Sequence, residues 1–352
     1  MKSGQWMIYG ANGYSGRLIA ERAKTFGFEP ILAGRNQEAV QTLADDLNLN
    51  WRAFDLEEPD VIQRNLADMD AVIHCAGPFS QTSEAMIQSC LQAKTHYFDI
   101  SGEIDVFEAA HRDEIHSQAK ASGIIVCPGI GFDVVPTDCL ALKLAERMPD
   151  ATHLDLGFAS RSAMSPGTAK TMVEGLGLGV RRRVDGQIVQ TKPEERHIDF
   201  GSGAKLCTLL SWGDVSTAYY TTGIPNISVY IPVSKRALRS MVWAHRLRPF
   251  LKLGPVQSFL KSRAGKQHGP SAESRSKATT QVWGEVRNAS GKSISLRMKT
   301  LNGYDVTALC PVLIMKRLQE DRLEYAGSTT PAQLLGPDFV LELEGTEFEQ
   351  DT

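Results

Sequence analysis

The chain has 352 residues, enough for two or three domains, and its 42% hydrophobic content excludes an intrinsically disordered protein. The formal net charge of −3 gives no bulk attraction to nucleic acid or to an acidic partner. The six cysteines form no CxxC pair and no spacing typical of a zinc site, so we expect reduced thiols and no bound metal.

The start of the chain and its hydropathy bear on where the protein works. The segment from Gln5 to Tyr9 runs directly into a glycine motif, which leaves no room for a signal peptide. No apolar run approaches the length of about 18 residues that spans a bilayer. We therefore expect a cytoplasmic protein.

Two kinds of periodic segment alternate up to Pro136. The predicted strands are Trp6–Tyr9, Ile31–Ala33, Trp51–Phe54, Ala71–Ala76, Tyr97–Ile100 and Ile124–Cys127. The predicted helices are Gly16–Phe26, Gln37–Leu47, Val61–Ala67, Ser83–Ala93, Val106–Ala121 and Thr137–Arg147. Strands separated by helices form parallel βαβ units, so the sequence predicts an α/β fold that begins with a Rossmann doubly wound parallel sheet.

After this region the pattern changes to strand candidates separated by polar loops. They are Thr152–Ala159, Thr217–Thr222, Ile227–Ile231, Thr280–Val286 and Ser293–Thr300, with further helices expected at Thr168–Gly177 and Val306–Gln319. We predict a Rossmann domain over 1–135 and an α+β substrate or dimerisation domain, built on a mostly antiparallel sheet, over 136–303. A C-terminal helix and tail over 304–352 are expected to return to the first domain, and an exposed sheet in the second domain would favour a homodimer.

Charge is distributed unevenly along the chain. The segment from Lys235 to Lys277, called the basic segment below, holds eleven Lys or Arg and one acidic residue, so it carries +10 while the rest carries −13. Apolar residues alternate with these charges as on a basic amphipathic helix. The segment is either a solvated cover packed on the second domain, or a surface that docks on a membrane or an acyl-carrier protein.

The glycine motif predicts a dinucleotide site. Gly10, Gly13 and Gly16 follow the first strand and open the first helix, where glycines allow a tight turn, close approach of a pyrophosphate and helix–strand packing. Asn12, Tyr14 and Ser15 lie in the same loop and are predicted to contact the cofactor. The alternative is a glycine-rich turn that binds nothing.

The end of the second strand predicts which dinucleotide is bound. An Asp or Glu there would bind the ribose 2′-hydroxyl of NAD, but this chain has Arg35 and Asn36 and no carboxylate between Ile31 and Gln37. A guanidinium suits the 2′-phosphate, so NADP is favoured over NAD. Alternatively, Arg35 pairs with a surface carboxylate.

The other strand ends should line the same crevice. Asp55 follows the third strand, the residues Ala76, Gly77, Pro78 and Phe79 follow the fourth, Glu103 lies beyond the fifth, and Asp133 lies beyond the sixth. Hydride transfer needs a positioned nicotinamide and a group that protonates or polarises the acceptor, for which Asp133 and Glu103 are candidates. Glu103 could instead cap the following helix, Asp133 could hold the turn before Pro136, and the reaction could proceed without an essential acid–base side chain.

Several of these motifs together resemble those of the saccharopine dehydrogenase-like oxidoreductases, most of all the branch of the trans-acting enoyl reductases. The motifs are Gly10–Gly16, Ala33–Asn36, Tyr97–Glu103, Gly131–Pro136, Gly167–Thr171, Gly269–Pro270 with Arg275, Gly303–Tyr304 with Thr307–Ala308, and Thr330–Ala332. The resemblance implies a Rossmann domain, a mixed second domain and a nicotinamide cofactor. It also places Lys170 on a helix that faces the cofactor cleft, although a solvated lysine is an equal alternative.

Three hypotheses of function follow. The first is an NADP(H)-dependent oxidoreductase acting on an unsaturated or carbonyl-containing acyl or lipid-like small molecule. Arg181, Arg182 and Arg183, interpreted as consecutive on a helix, would point in different directions and could not converge on a dicarboxylate. This disfavours the second hypothesis, an amino-acid-type reductase of saccharopine-like imines. The third is a non-enzymatic NADP-binding or membrane-associated adaptor.

Overall fold

The computed structural model describes residues 4–160, 165, 173, 175, 179–251, 253–264, 269–320 and 323–349. The chain divides into two compact units, each made of two stretches of sequence. The first unit is Met1–Val135 with Tyr304–Leu334, and the second is Pro136–Gly303 with Leu335–Thr352. Strands and helices are numbered below in chain order.

The first unit is built on a parallel sheet of seven strands. They are β1 (Trp6–Tyr9), β2 (Ile31–Gly34), β3 (Trp51–Ala53), β4 (Ala71–His74), β5 (His96–Asp99), β6 (Ile125–Cys127) and β15 (Gly327–Ser328). Their order across the sheet is β15-β6-β5-β4-β1-β2-β3. The residues of β1, β2 and β4 are buried throughout, as expected for strands with helices on both faces.

Helices connect these strands. They are α1 (Tyr14–Thr25), α2 (Gln37–Leu47), α3 (Pro59–Leu66), α4 (Phe79–Ala93), α5 (Ile104–Ala110) and α6 (Asp113–Ser122). The predicted doubly wound sheet is therefore confirmed. The single helix predicted over Val106–Ala121 is wrong, because Arg112 has an extended backbone (φ −60°, ψ 143°) that ends α5 and starts α6.

The second unit is built on a mostly antiparallel sheet. Its strands are β7 (Ala151–Ser160), β8 (Val180–Val184), β9 (Gln187–Thr191), β10 (Glu195–Asp199), β11 (Ala204–Leu209), β12 (Asn226–Pro232), β13 (Thr279–Asn288), β14 (Ser293–Leu301) and β16 (Glu347–Glu349). The main order is β10-β11-β12-β7-β13-β14-β16, and the β8–β9 hairpin pairs with β12. Among the described strands of this unit, only β12 and β7 pair in parallel, so the expected α+β character with a mostly antiparallel sheet is confirmed.

The remaining helices follow β6. They are α7 (Val135–Arg147), α8 (Asp214–Thr222), α9 (Lys235–Arg246), α10 (Arg248–Leu251), α11 (Gly254–Ala264), α12 (Ala272–Ser276), α13 (Gly303–Gln319) and α14 (Pro331–Leu335), with a 3₁₀ turn at Phe339–Glu342. Of the helix predicted over Thr168–Gly177, Val173 and Gly175 are described and both are helical. No described helix combines the length and the apolar composition that crossing a membrane requires. All six cysteines are free thiols.

Two predictions for the second unit are wrong. Thr217–Thr222 belongs to helix α8 rather than to a strand, and this helix ends at Gly223 in the left-handed conformation that favours glycine. Arg181, Arg182 and Arg183 lie on strand β8 rather than on a helix. Alternate residues of a strand share a face, so Arg181 and Arg183 lie on the same side of β8.

The C-terminal stretch is divided between the two units. We expected all of 304–352 to return to the first unit, but only Tyr304–Leu334 belongs to it. Strand β15 extends the parallel sheet beside β6, with Gly327 opposite Ile125. Beyond Leu334 the chain belongs to the second unit, where Phe348 of β16 pairs with Met298 of β14. The physical reason is the open edge of β14, which offers unpaired backbone groups to β16.

Candidate functional site

The predicted cofactor loop lies where the strand order of the first unit reverses direction. The chain passes from β1 to β2 on one side and later returns to place β4 on the other side of β1. Such a switch point is where ligands bind in open α/β sheets, beyond the carboxyl ends of the strands. Gly10 follows β1 and Ala76 follows β4, so both sit at this point.

Gly10 is required by two independent constraints. Its φ of +81° lies in the left-handed region, and a Cβ at this position would lie 2.8 Å from the Ala76 backbone nitrogen and 2.9 Å from the Cys75 carbonyl carbon. Any larger residue would therefore push apart the loops that follow β1 and β4.

Gly16 and Gly13 shape the start of α1. A Cβ on Gly16 would press on the Gly10 carbonyl oxygen and lie 2.9 Å from the Ala11 Cα, so glycine lets the helix pack on the end of β1. Gly13 is the exposed N-cap residue, and no side chain caps the helix or places an acid in its first turn, which also holds Tyr14, Ser15 and Gly16. The N-terminus of α1 therefore keeps its partial positive charge for an anion.

Arg35 lies directly beyond β2 and is exposed. Within the described part of the chain, its guanidinium makes no ion pair with a carboxylate. The opposing charges of Asp55 and Arg35 both act on Tyr9, whose pKa is raised to about 12 by burial and by Asp55, with Arg35 acting in the opposite direction. The Tyr9 hydroxyl donates to the Phe54 carbonyl at 3.0 Å, which ties the ends of β1 and β3 together.

The neighbours of Arg35 are engaged locally. The Asn36 side chain accepts a hydrogen bond from the Ala39 amide at 3.1 Å and so caps α2, while Asp55 accepts from the Glu57 amide at 3.1 Å. Asn12 is exposed, and its side-chain oxygen would lie 3.1 Å from a Cβ on Gly34. The structure thus brings Asn12, Arg35 and Asp55 to one end of the sheet, and Arg35 alone among them offers a positive charge there.

Hydrogen bonds of the Thr82 hydroxyl hold the loop after β4. The Thr82 hydroxyl lies 2.8 Å from the Ala76 carbonyl oxygen, 3.2 Å from that of Pro78 and 2.9 Å from Nε2 of His74. His74 is fully buried, and burial lowers its pKa to about 3, so the imidazole is neutral at physiological pH. This anchoring fixes the backbone of Ala76, Gly77 and Pro78 next to Gly10.

Both carboxylate oxygens of Glu103 accept hydrogen bonds at the end of the same loop. The donors are the Phe79 amide at 2.9 Å and the Ser80 amide at 2.8 Å, the first amides of α4. The predicted alternative of a capping role therefore applies to α4, not to the following helix α5. Glu103 links the loops after β4 and β5.

Asp99 anchors the loop that carries Glu103. It is completely buried and accepts hydrogen bonds from the Tyr97 hydroxyl at 2.5 Å, the Ser101 amide at 2.9 Å and the Gly129 amide at 2.8 Å. Burial raises its pKa to about 6 in spite of these donors. Asp99 therefore joins the ends of β5 and β6.

Asp133 is the acidic group of this region that has no such partners. No hydrogen bond or ion pair to it is present among the described residues, and burial raises its pKa to about 7. A Cβ on Gly102 would lie 2.6 Å from Oδ2 of Asp133, so glycine at 102 is what lets the carboxyl group approach this loop. The predicted alternative, in which Asp133 bonds backbone amides before Pro136, has no such bond to support it.

The third candidate acid–base residue, Lys170, lies outside the described residues, as does the rest of Gly167–Thr171. Among the described residues, no group of three or more His, Cys, Asp or Glu side chains could hold a metal ion.

The arginine cluster of the second unit is engaged structurally. Arg183 is buried, donates to the Val215 carbonyl at 2.9 Å and the Gly186 carbonyl at 2.6 Å, and stacks on Tyr219 with 4.2 Å between guanidinium carbon and ring centre. Arg182 pairs with Glu194 at 3.2 Å. The cluster therefore does not converge on one ligand, but the reason is side-chain engagement rather than helical geometry.

Two residues near the loop were not predicted as site residues. The Tyr304 ring packs edge-on against Tyr14 with centroids 5.0 Å apart, and the Thr307 hydroxyl accepts from the Phe132 amide at 3.1 Å, next to Asp133. Both belong to α13, which is distant in sequence. The one sequence feature that pointed to Tyr304 and Thr307 was the motif Gly303–Tyr304 with Thr307–Ala308.

The geometry fits a dinucleotide. Such a ligand needs a glycine turn that a Cβ would obstruct, a helix N-terminus without a side-chain cap, and a cation at the next strand end, which here makes no ion pair within the described part of the chain. Gly10, Gly13 and Gly16 would hold its pyrophosphate, and Arg35 would hold a phosphate on its adenosine ribose.

Comparison with known proteins gives partial sequence matches. A trans-acting enoyl reductase of Mycobacterium bovis is 30% identical over 148 residues, which cover 40% of this chain and 35% of that protein. A putative trans-acting enoyl reductase of Mycobacterium tuberculosis is 31% identical over 181 residues, or 48% of this chain and 43% of that protein. The matched region thus spans less than half of each of these relatives.

Solved structures with the same fold cover nearly the whole chain. Saccharopine dehydrogenase (L-Glu forming) of Saccharomyces cerevisiae aligns with a TM-score of 0.65 at 14% identity, over 98% of this chain and 99% of that one. Homospermidine synthase of Legionella pneumophila, solved with NAD, aligns with a TM-score of 0.66 at 12% identity, over 100% and 92%. At such identities the likeness concerns the fold.

The family match falls on the unit that carries the glycine loop. Residues 6–127 match the family model of the saccharopine dehydrogenase NADP binding domain. This segment begins at β1 and ends with β6, so it contains Gly10, Gly16, Arg35 and Glu103. The resemblance predicted from the motifs is confirmed for this segment, which is similar to the saccharopine dehydrogenase NADP binding domain.

Proposed function

We propose that the protein is an NADP(H)-dependent oxidoreductase that acts on an unsaturated or carbonyl-containing acyl or lipid-like compound. The observation that carries the cofactor assignment is Arg35, an exposed arginine that makes no ion pair with any described residue, at the strand end where an NAD-specific domain has a carboxylate. The family match of residues 6–127 supports a nicotinamide cofactor at this site.

The residues divide the work of binding and proton transfer. The α1 N-terminus and Gly10 bind the pyrophosphate, Arg35 binds the 2′-phosphate, and the Ala76–Phe79 loop positions the nicotinamide half. The bound cofactor supplies or accepts the hydride. Asp133, with its pKa near 7, holds the proton that the acceptor atom takes up.

We propose Asp133 rather than Glu103 as this acid for a geometric reason. Both oxygens of Glu103 already accept hydrogen bonds from the start of α4, and protonation would break one of them. Asp133 makes no hydrogen bond to any described residue, so it can exchange a proton without loosening these contacts.

The acyl class of substrate is supported by two observations. First, the relatives that match part of the chain are named as trans-acting enoyl reductases. Second, Arg181, Arg182 and Arg183 cannot bind a dicarboxylate together, because Arg182 pairs with Glu194 and Arg183 is held by backbone carbonyls and Tyr219. The term trans-acting also suggests that the acyl chain reaches the site on another protein.

The test is consumption of NADPH by the purified full chain. We expect turnover with α,β-unsaturated acyl thioesters and none with lysine plus an aldehyde acid that would form a saccharopine-like imine. Asp133→Asn should lower kcat on the order of 100-fold with little change in NADPH affinity, whereas Asp185→Asn, in an exposed turn of the second unit, should leave both unchanged. Turnover with the imine pair alone would overturn the substrate class, and full activity of Asp133→Asn would remove its role.

A further inference from the structure

The basic segment forms several short helices on the second unit, and its exposed side chains do not resemble an ordinary solvated surface. Eight large hydrophobic residues of the described chain are prominently exposed, and five of them lie in this segment. They are Trp243 (62%), Leu247 (49%), Phe250 (65%), Leu253 (53%) and Phe259 (60%), while the other three are at most 46% exposed. A concentration of aromatic residues in water indicates a surface that is normally covered.

Helix α9 shows how this surface is organised. Leu238 and Val242 are half-buried, so the helix already has an apolar face turned toward protein. Trp243 lies outside that face, at helical spacing from the exposed Arg239 and Arg246. Packing of the helix on its own unit therefore does not account for the tryptophan.

Cations accompany the exposed rings. The Arg246 guanidinium carbon lies 5.4 Å from the centre of the Trp243 ring, and that of Arg263 lies 6.0 Å from the centre of Phe259. An aromatic ring beside an arginine suits a lipid interface, because the ring can insert below the headgroups while the guanidinium binds their phosphates.

We propose that the exposed side chains described within 235–251 and 253–264, called the docking face, bind the surface of an anionic lipid bilayer. The sequence from 235 to 264 holds eight Lys or Arg and no Asp or Glu, so its charge of +8 is complementary to such a surface, and basic residues near an anionic leaflet each add to binding. A second copy of the chain is disfavoured, because a two-fold interface would place the same positive charges against each other. The three exposed aromatic side chains lie on three different helices. They can insert into a fluid lipid interface, whereas a protein partner would need a matching pocket for each of them.

The experiment is flotation of the purified full chain with vesicles, which needs no enzyme activity and is independent of the proposed function. Vesicles of phosphatidylcholine with about a third phosphatidylserine should bind the protein, pure phosphatidylcholine should not, and high salt should release it. The charge variant Lys235→Glu/Arg236→Glu/Arg239→Glu should weaken partitioning at least tenfold, since each basic residue is worth roughly fivefold near an anionic leaflet.

Matched variants separate the docking face from net charge and from misfolding. Lys120→Glu/Lys192→Glu/Lys292→Glu makes the same change in net charge at exposed sites elsewhere and should bind nearly as the wild type does. Trp243→Ser/Phe250→Ser/Phe259→Ser should lose binding with unchanged circular dichroism. Trp243→Phe should still float but lose the fluorescence quenching that brominated lipids cause in the wild type.

Three outcomes would overturn the proposal. The first is the absence of binding to anionic vesicles. The second is an equal loss of binding in the charge variant of the docking face and in the control charge variant at Lys120, Lys192 and Lys292. The third is fluorescence quenching in Trp243→Phe that equals that of the wild type. A concentration-dependent dimer that the triple serine variant abolishes, without vesicle binding, would assign the face to a second copy instead.

Discussion

Two aspartates of the first unit whose pKa values are raised differ in their partners. Asp99 accepts three hydrogen bonds and joins two loops, whereas Asp133 has no hydrogen bond among the described residues. Burial raises the pKa of both, to about 6 and about 7. An acid whose pKa is raised and whose ionised form has no compensating hydrogen bonds opposes folding at neutral pH, and such groups concentrate at functional sites.

This difference predicts how stability responds to Asp133→Asn. The folded-state pKa of about 7 lies above the unfolded value near 4, so the contribution of Asp133 to stability is full below pH 4 and is lost as pH rises toward 7. Asparagine does not titrate. The variant should therefore melt at least about 4 °C above the wild type at pH 8, with a much smaller difference at pH 5, in thermal scans.

Asp185→Asn in an exposed turn is the control and should show no such pH-dependent gap. A constant difference between Asp133→Asn and the wild type from pH 5 to pH 8 would show that the Asp133 carboxyl does not titrate in this range.

At the residue level, the sequence predicted which side chains lie at the strand ends but not which of them are engaged. Glu103 and Asp133 were equal candidates. Their difference comes from the Phe79 and Ser80 amides, which belong to another βα unit and reach Glu103 only in the folded sheet. Spacing along the chain carries no information about such a partner.

At the level of elements, the site depends on the close approach of the loops after β1 and β4. Gly10→Ala should disturb both loops, since the new Cβ would lie 2.8 Å from the Ala76 nitrogen. We expect a stability loss clearly above the cost of about 1 to 2 kcal/mol for a left-handed alanine, together with loss of NADPH binding. Thermal unfolding and calorimetric titration measure the two effects.

Gly27→Ala is the matched control for this prediction. Its φ of +79° is nearly that of Gly10, but no atom lies within 4 Å of the added Cβ. It should therefore lose only the cost of backbone strain and should bind NADPH normally. Equal stability and equal NADPH affinity in the two variants would mean that the loop approach is not essential.

Apart from the helix predicted over Val106–Ala121, which is two helices, the predicted elements of the first unit agree with the structure, because buried strands and amphipathic helices give clear periodicity. The errors lie where propensity and fold disagree. Thr217–Thr222 is rich in Thr and Tyr, which favour strands, yet it forms α8 between Gly213 and Gly223. Strand β8 carries Arg181–Arg183 on a partly exposed surface, so it lacks the apolar alternation that indicates a strand.

At the level of the whole molecule, the first unit is discontinuous in sequence. Strand β15 completes its sheet beside β6, and the Ser328 hydroxyl donates to the Ala110 carbonyl at 2.6 Å. Thr307 of α13 holds the Phe132 amide. Length predicted two or three domains, and a C-terminal helix and tail were expected to return to the first, but the sequence did not predict that a strand at Gly327–Ser328 extends its sheet.

A fragment that ends at Val135 should therefore be unstable. It would lose β15 and α13, expose the edge of β6 and leave the Phe132 amide without its partner. The same fragment joined through a flexible linker to 304–334 should unfold at a higher temperature and resist proteolysis better. Equal unfolding temperatures would contradict the assignment of 304–334 to this unit.

Arg35 is the residue through which we propose that the first unit selects NADPH. Calorimetric titration of the wild type, of Arg35→Ala and of the control Arg64→Ala, an exposed arginine on α3, with NADPH and NADH tests this claim directly. We predict that Arg35→Ala weakens NADPH binding on the order of tenfold or more and changes NADH binding little, because only NADPH carries the 2′-phosphate. Tighter binding of NADH than of NADPH by the wild type, or equal losses for both cofactors in Arg35→Ala, would contradict the claim.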